Sequence, residues 1–343
     1  MDNGGRSRRR DAERPESRSG EPRSPVAPPA PLPPVASRLA ALGDRRLAAA
    51  VAAAPPLGPG IGGRTAELDV GGTPVFVKRV PLTELELRPE HARSTANLFA
   101  LPAYYHYGLG SAGFGAWREL AAHLAASRWA REGAYGGFPV TYHWRVLPDS
   151  PPEGFADEFG GIDGAVAFWE GSPAVRRRLE ALGRATSSLV LFLEHLPGTL
   201  ADAREPGPDR TVAELERGAR FMASRGLVHF DAHSRNVLTD GRRLLFTDFG
   251  LALSARFALA PDEARFLAAH LASYDRCFVL SEARRRLGAD LGARGPAADL
   301  LDAFHRRLLD GSRRTPYPAA EIEAALAPER PPGGHARDST RAI

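Results

Sequence analysis

Apolar and polar positions alternate at two different periods along this chain, and the switch between them divides it. From Gly58 the sequence reads GPGIGG, TAELDV, Gly71-Gly72-Thr73 and PVFVKRV. A period of two around a Gly-Gly pair predicts a glycine-rich loop leading into a β-hairpin, with Lys78 near the end of its second strand. After an irregular aromatic stretch (Tyr104, Tyr105, Tyr107) the period lengthens, and a helix is expected over 116–132. Trp117, Leu120, Ala121 and Leu124 share one face of it, with Glu119 on the flank. Residues 138–147 read as a strand, 174–184 as a charged helix, and the continuous apolar run 189–193 as a buried central strand, broken by Glu194-His195-Leu196-Pro197-Gly198. The clearest helix is 211–225, with a Thr211/Glu214 capping box, a stripe of Val212, Leu215, Ala219 and Met222, and Gly226 at its end. Two short apolar strands, 237–238 and 244–246, flank Asp240-Gly241, a pair suited to a type I′ turn. Helices are expected over 262–286, 297–309 and 319–326. Strands first and helices second predict an α+β, two-lobed chain whose lobes meet near residue 196.

Composition sharpens this. With 343 residues the chain is long enough to bury a sizeable core, and 43% hydrophobic with 25% charged residues is the balance of an ordinary soluble protein. Cys277 is the single cysteine, so no internal disulfide forms, and no Cys/His spacing suggests zinc. There is no apolar run of membrane-spanning length and no secretory leader, which predicts a cytoplasmic address with no membrane partner. The net charge of +4 comes with no basic stripe interleaved with aromatics, so no nucleic-acid partner is expected. Residues 1–36, rich in Arg, Ser, Glu and Pro, are expected to be a disordered tail. An Ala-rich helical lead-in (37–57) follows, then the two lobes (58–195 and 196–328) and a loose end (329–343). The sequence leaves the oligomeric state open.

Among the 45 lysines and arginines only Lys78 is a lysine. The general bias toward Arg, Ala, Gly and Pro is what a GC-rich genome would produce. A lysine surviving that bias implies a position that needs a compact ammonium rather than a planar guanidinium; the alternative is an edge-strand lysine that discourages aggregation. Gly58, Gly60 and Gly63 have Gly-x-Gly-x-x-Gly spacing, which fits either a simple flexible turn or a loop whose backbone N–H groups lie over nucleotide phosphates. Residues 226–253, GLVHFDAHSRNVLTDGRRLLFTDFGLAL, place Asp231, Asn236 and Asp248 around the short hairpin. Two hard oxygen donors held side by side, with a carboxylate five residues upstream, suit a Mg²⁺–nucleotide site better than a zinc or calcium cage.

His229-Phe230-Asp231 with Asn236 resembles the H-x-D-x-x-x-x-N catalytic loop of the protein-kinase superfamily, and Asp248-Phe249-Gly250 resembles its D-F-G. The order of glycine loop, lysine, helical glutamate, apolar strand and these two motifs matches the family from residue 58 to about 250. The resemblance implies a kinase-like fold with a small β-rich lobe and a larger helical one, using Mg²⁺ and ATP. It implies that Asp231 accepts the acceptor's hydroxyl proton, that Asn236 and Asp248 hold the metal, and that Lys78 positions the phosphates. Glu119 is the expected partner of Lys78, with Glu132 and the acids at 84, 86 and 90 as competitors. The Glu194 to Leu196 segment would be the hinge facing adenine, and His229 would brace the loop. Three positions depart from the family pattern. Phe230 replaces an arginine that receives an activation-loop phosphate. His233 looks like the aminoglycoside and choline phosphotransferase branch. Ala260-Pro261-Asp262 is the nearest approach to an A-P-E ending. The expected activity is transfer of the γ-phosphoryl group to a Ser/Thr hydroxyl of a protein. A small-molecule phosphotransferase is the alternative, and a nucleotide-binding scaffold without turnover is a third reading.

Overall fold

The computed structural model describes residues 29–60, 63–203 and 207–327. Most of the expected N-terminal tail, and the C-terminal one, lie outside these residues. The chain is α+β. It opens with α1 (Pro34–Ala41) and α2 (Asp44–Ala53) where one helix was expected; Gly43, extended at φ −70° and ψ 155°, separates them. Ala30, within the stretch expected to be a tail, is tied to Arg131 in both directions, backbone N–H to carbonyl at 2.9 Å and guanidinium to carbonyl at 2.8 Å.

Five strands follow the lead-in in one antiparallel sheet of order β1-β2-β3-β5-β4: β1 (Pro56–Gly60), β2 (Gly63–Asp69), β3 (Pro74–Leu82), β4 (Thr141–Pro148) and β5 (Ser187–Glu194). β5 lies inside the sheet, paired on both sides by β3 and β4, and its run 189–193 is apolar and buried, as a strand covered on both faces must be. On β3 the alternation sorts two faces. Val75 and Val77 join Val35, Leu39, Leu47 and Val51 of the lead-in helices. Val80 and Leu82 join Trp117 and Leu120 of the helix described next, and Lys78 shares their face of the strand.

Between β3 and β4 run a single helical turn, α3 (Glu84–Leu87), an irregular stretch, and α4 (Ala116–Arg131). The sequence predicts one apolar face for α4, but the structure buries Arg118, Glu119, His123 and Ser127 as well. The helix is wedged between the sheet and a second core that includes Ala122, Ala126 and Trp129. Between β4 and β5 lie α5 (Ile162–Phe168) and α6 (Pro173–Leu182). They pack Val166, Trp169, Val175 and Leu179 against Phe99, Leu101, Tyr105 and Phe114 of the irregular stretch.

The remainder is mainly helical. After β6 (Gly198–Thr199), α7 (Pro208–Ser224) begins at a proline in its first turn, three residues before the expected Thr211 cap, so Thr211 lies buried inside the helix. β7 (Leu227–Val228), β8 (Val237–Thr239), β9 (Leu244–Phe246) and β10 (Leu253–Ser254) form two small sheets, β10-β7 and β6-β8-β9. The β8–β9 connection is not the expected two-residue type I′ turn. Thr239 pairs with Leu244, leaving a four-residue loop, and of its residues only Gly241 has positive φ. Asp240 organises the loop by accepting the N–H groups of Arg242 and Arg243 at 2.9 and 2.8 Å. The expected helix 262–286 is two, α8 (Pro261–His270) and α9 (Tyr274–Leu287), followed by α10 (Gly295–Asp310) and α11 (Ala319–Leu326). No helix among the described residues is long and apolar enough to cross a membrane.

Candidate active site

Lys78, expected near the end of its strand, stands at the middle of β3, opposite Thr65 of β2 and Leu191 of β5, because the strand runs on to Leu82. Its Nζ lies 2.7 Å from Glu119 Oε1 on α4 and 2.6 Å from Asp248 Oδ1. A strand, a helix and a loop 170 residues further on thus meet at one ammonium. Burial by itself would lower the Lys78 pKa, but Asp248 and Glu119 outweigh it and hold the charge on. Asp248 takes the larger share of that field, held down to about 2 against the cost of burial. Glu119 is pushed up to about 7 by burial, with Lys78 opposing. His123 Nε2 sits 3.8 Å from Glu119 Oε1, but burial lowers that imidazole to about 3, so it is neutral and forms no ion pair.

The competitors for Glu119 have other work. Glu86 caps α4, accepting the Ala116 N–H at 2.8 Å on Oε1 while Oε2 pairs with the buried Arg178 at 2.8 Å. Glu132 forms a half-exposed pair with Arg128. Arg118, next to Glu119, makes a buried two-pronged ion pair with Glu263 of α8 at 2.7 and 3.2 Å.

Loop 229–236 is held from below by α9. Asp275 accepts the N–H groups of His229 and Phe230 at 2.6 and 3.0 Å, and Glu282, seven residues on and therefore on the same helix face, accepts both the N–H and the hydroxyl of Ser234. Neither acid was expected from sequence. The available signal was two acids at helical spacing within the otherwise apolar run CFVLSEA and its approach. His229 braces the loop as expected: Nε2–H donates to Thr247 O at 2.9 Å and Nδ1 accepts the Asp231 N–H at 3.3 Å. The Asn236 amide donates to Asp231 O at 2.9 Å and to Oδ2 at 3.1 Å, and Thr247 N–H reaches Asn236 O at 3.0 Å. Burial, then Asp248, raises Asp231 to about 7.

Phe230 and Asp248 have φ of 65° and 62°. Left-handed backbone at residues other than glycine costs on the order of 1–3 kcal/mol each and persists only where the surroundings over-determine it. Phe230 is buried among His106, Tyr107, Phe266, His270 and Tyr274, and Asp248 is fixed by Lys78.

The structure therefore brings together Lys78, Glu119 and Asp248, and separately Asp231 with Asn236. Gly58 lies in one row of the sheet with Thr65 and Lys78, and Gly60 pairs with Gly63; the tip of that loop, 61–62, lies outside the described residues. Glu194 ends β5, accepting the Val140 N–H and pairing with Arg243, and Leu196 is buried beyond it. As a metal site, the arrangement offers the second carboxylate oxygen of Asp248 and the amide oxygen of Asn236, whose nitrogen is turned to Asp231. Two hard oxygens suit Mg²⁺, which keeps most of its other positions for water and phosphate. Among the described residues no group of three or more His, Cys, Asp or Glu forms a cage. No protein-family model matches the chain, and no curated protein is similar to it at a significant level.

Proposed function

We propose that the protein is a kinase-like phosphotransferase that moves the γ-phosphoryl group of Mg–ATP to a hydroxyl. The observation that carries this reading is the Lys78 ammonium bridging Glu119 and Asp248 at 2.7 and 2.6 Å beside the hydrogen-bonded Asp231–Asn236 pair. Lys78 would orient the phosphates, and Glu119, fixed on a pinned helix, would keep its Nζ in place. Asn236 and Asp248 would hold Mg²⁺, which when bound neutralises phosphate charge. Asn236 donates to Asp231 Oδ2, leaving Oδ1 to receive the acceptor's proton. The acceptor oxygen bonds to the γ-phosphorus as the bond to the β,γ-bridging oxygen breaks, and the electron pair leaves on ADP. Catalysis of this kind is alignment and charge neutralisation in a preorganised site.

The test is transfer from labelled ATP with Mg²⁺. Asp231→Asn is expected to lower transfer by at least about a hundredfold, the scale of a lost general base, while sparing nucleotide affinity. Lys78→Arg should impair transfer although the charge is kept. Nucleotide binding by the wild type without any turnover would leave the scaffold reading in place of this one.

A further inference from the structure

Part of the stretch between β3 and α4 lies directly on the proposed catalytic residues. His106 is buried with Nδ1 2.8 Å from Leu251 O, its ring stacked on Phe114 at 3.7 Å. A Cβ placed on Gly113 would come 3.0 Å from Gly250 O. Gly108 approaches closest: a Cβ there would lie 2.4 Å from Asp231 Oδ1, the oxygen not engaged by Asn236. Leu109 N–H donates to Tyr107 O at 2.7 Å, closing a three-residue turn with Gly108 at its centre. Behind the turn, a Cβ on Gly110 would meet the Phe159 ring at 2.4 Å, so the turn is backed by the β4–β5 connection. The Asp231 side chain keeps 21% of its surface exposed, beside the half-exposed His233.

On the other side, most backbone donors between Ala252 and Ala260 are already engaged. The N–H groups of Ala252, Ala255, Phe257 and Leu259 are bonded to backbone carbonyls, and those of Arg256, Ala258 and Ala260 to Ser254, Thr95 and Glu263 side chains. An extended polypeptide adds to a surface by pairing with unused backbone groups, and here seven consecutive-segment donors are already taken.

We propose that the turn 107–110 is a wall of the acceptor site, with Gly108 as its specificity-determining residue, admitting a hydroxyl carried by a compact small molecule and excluding one carried by an extended polypeptide. This rests on the phosphotransfer reading above. Glycine is required at 108 because any side chain would occupy the space in which the acceptor hydroxyl meets Asp231 Oδ1.

The experiment follows label from γ-labelled ATP, with Mg²⁺, onto dephosphorylated casein and onto ethanolamine, choline, glycerol, myo-inositol and kanamycin, using the full chain and Gly108→Ala. Nucleotide affinity is read in parallel with a fluorescent ATP analogue. The expected result is label on a small compound and none on casein, and in Gly108→Ala, whose methyl would press on Asp231 Oδ1, a loss of at least about tenfold in kcat/KM with nucleotide Kd unchanged within about twofold. Label on casein at a comparable rate overturns the proposal, and so does Gly108→Ala with unaltered kcat/KM. Hydrolysis of ATP to water with every compound unlabelled also overturns it. The casein arm needs only the wild type, so poor folding of the variant does not shield the idea. Absence of both hydrolysis and transfer is a separate outcome, which sinks the phosphotransfer reading on which this one stands.

Discussion

Asp275 shows how a residue far from the reacting atoms sets their geometry. Its carboxylate takes both N–H groups at the turn where Phe230 adopts φ 65°, so the strained backbone leading into Asp231 is held by two hydrogen bonds to one side chain. Burial pushes Asp275 up to about 6, yet it remains mainly ionised at neutral pH because the two donors favour the charged form. Asp275→Ala leaves two buried donors unpaired and is expected to cost about 2–6 kcal/mol in urea unfolding, at about 1–3 kcal/mol per unsatisfied group. Under the proposed chemistry the same variant should also lower kcat more than it changes nucleotide Kd. An unchanged unfolding midpoint would contradict this account of the loop. Asp231, Asn236 and Asp248 were legible in sequence because their spacing is local to one hairpin. Asp275 was not, because its partners are 45 and 46 residues away and no spacing rule links them.

At the scale of elements, α4 is the piece whose placement decides whether Glu119 reaches Lys78. Glu86 holds its first turn, and the Arg118–Glu263 pair ties its side to α8 with both partners almost fully buried. Breaking a buried pair on one side strands the other charge, so Arg118→Met is expected to destabilise by about 3–5 kcal/mol. The double variant Arg118→Met/Glu263→Gln, whose amide oxygen keeps an acceptor for the Ala260 N–H, should recover much of that loss, and a double-mutant cycle in urea would read the coupling. Equal losses for the single and the double variant would show that the arginine acts by packing alone. The apolar period placed α4 within a residue at each end and Glu119 on the flank of its buried face, but it gave no sign that Arg118, His123 and Ser127 are buried as well. A period reports one buried face, whereas this helix is covered by the sheet on one side and by the 83–115 stretch and α8 on another. The Thr211 cap failed for a related reason. A good local cap was outcompeted by Pro208, whose fixed φ starts the helix a turn earlier.

For the whole molecule, the notable electrostatic feature is the number of histidines kept neutral inside. Burial pushes His229, His270 and His305 down to about 4 and His123 to about 3, against an ordinary value of 6.5. Between those values the unfolded chain binds more protons than the folded one. The histidine contribution is therefore complete above about pH 6.5 and is lost as pH falls through about 4. A shift of this size corresponds to about 3 kcal/mol for one fully buried ring. Glu119 and Asp231 at about 7 and Asp275 at about 6 act in the opposite sense, losing stability as pH rises, but they are fewer. The melting temperature should therefore fall on acidification below about pH 6.5, and His305→Gln, which keeps an acceptor for the Tyr274 hydroxyl, should flatten the slope. A melting temperature constant across that range would refute the assignment. By itself the sequence determined the α+β order of elements, the lone lysine on a strand, and the two acids and the amide of the candidate site. Each of these is a matter of local period or short spacing. Tertiary structure settled the expected choice of Glu119 over Glu86 and Glu132 as the partner of Lys78, and it alone decided that α9 carries the loop and that Gly108 lies against Asp231. Those contacts join residues remote in sequence, and they exist only once the sheet, α4 and the helical part have packed and excluded the alternatives.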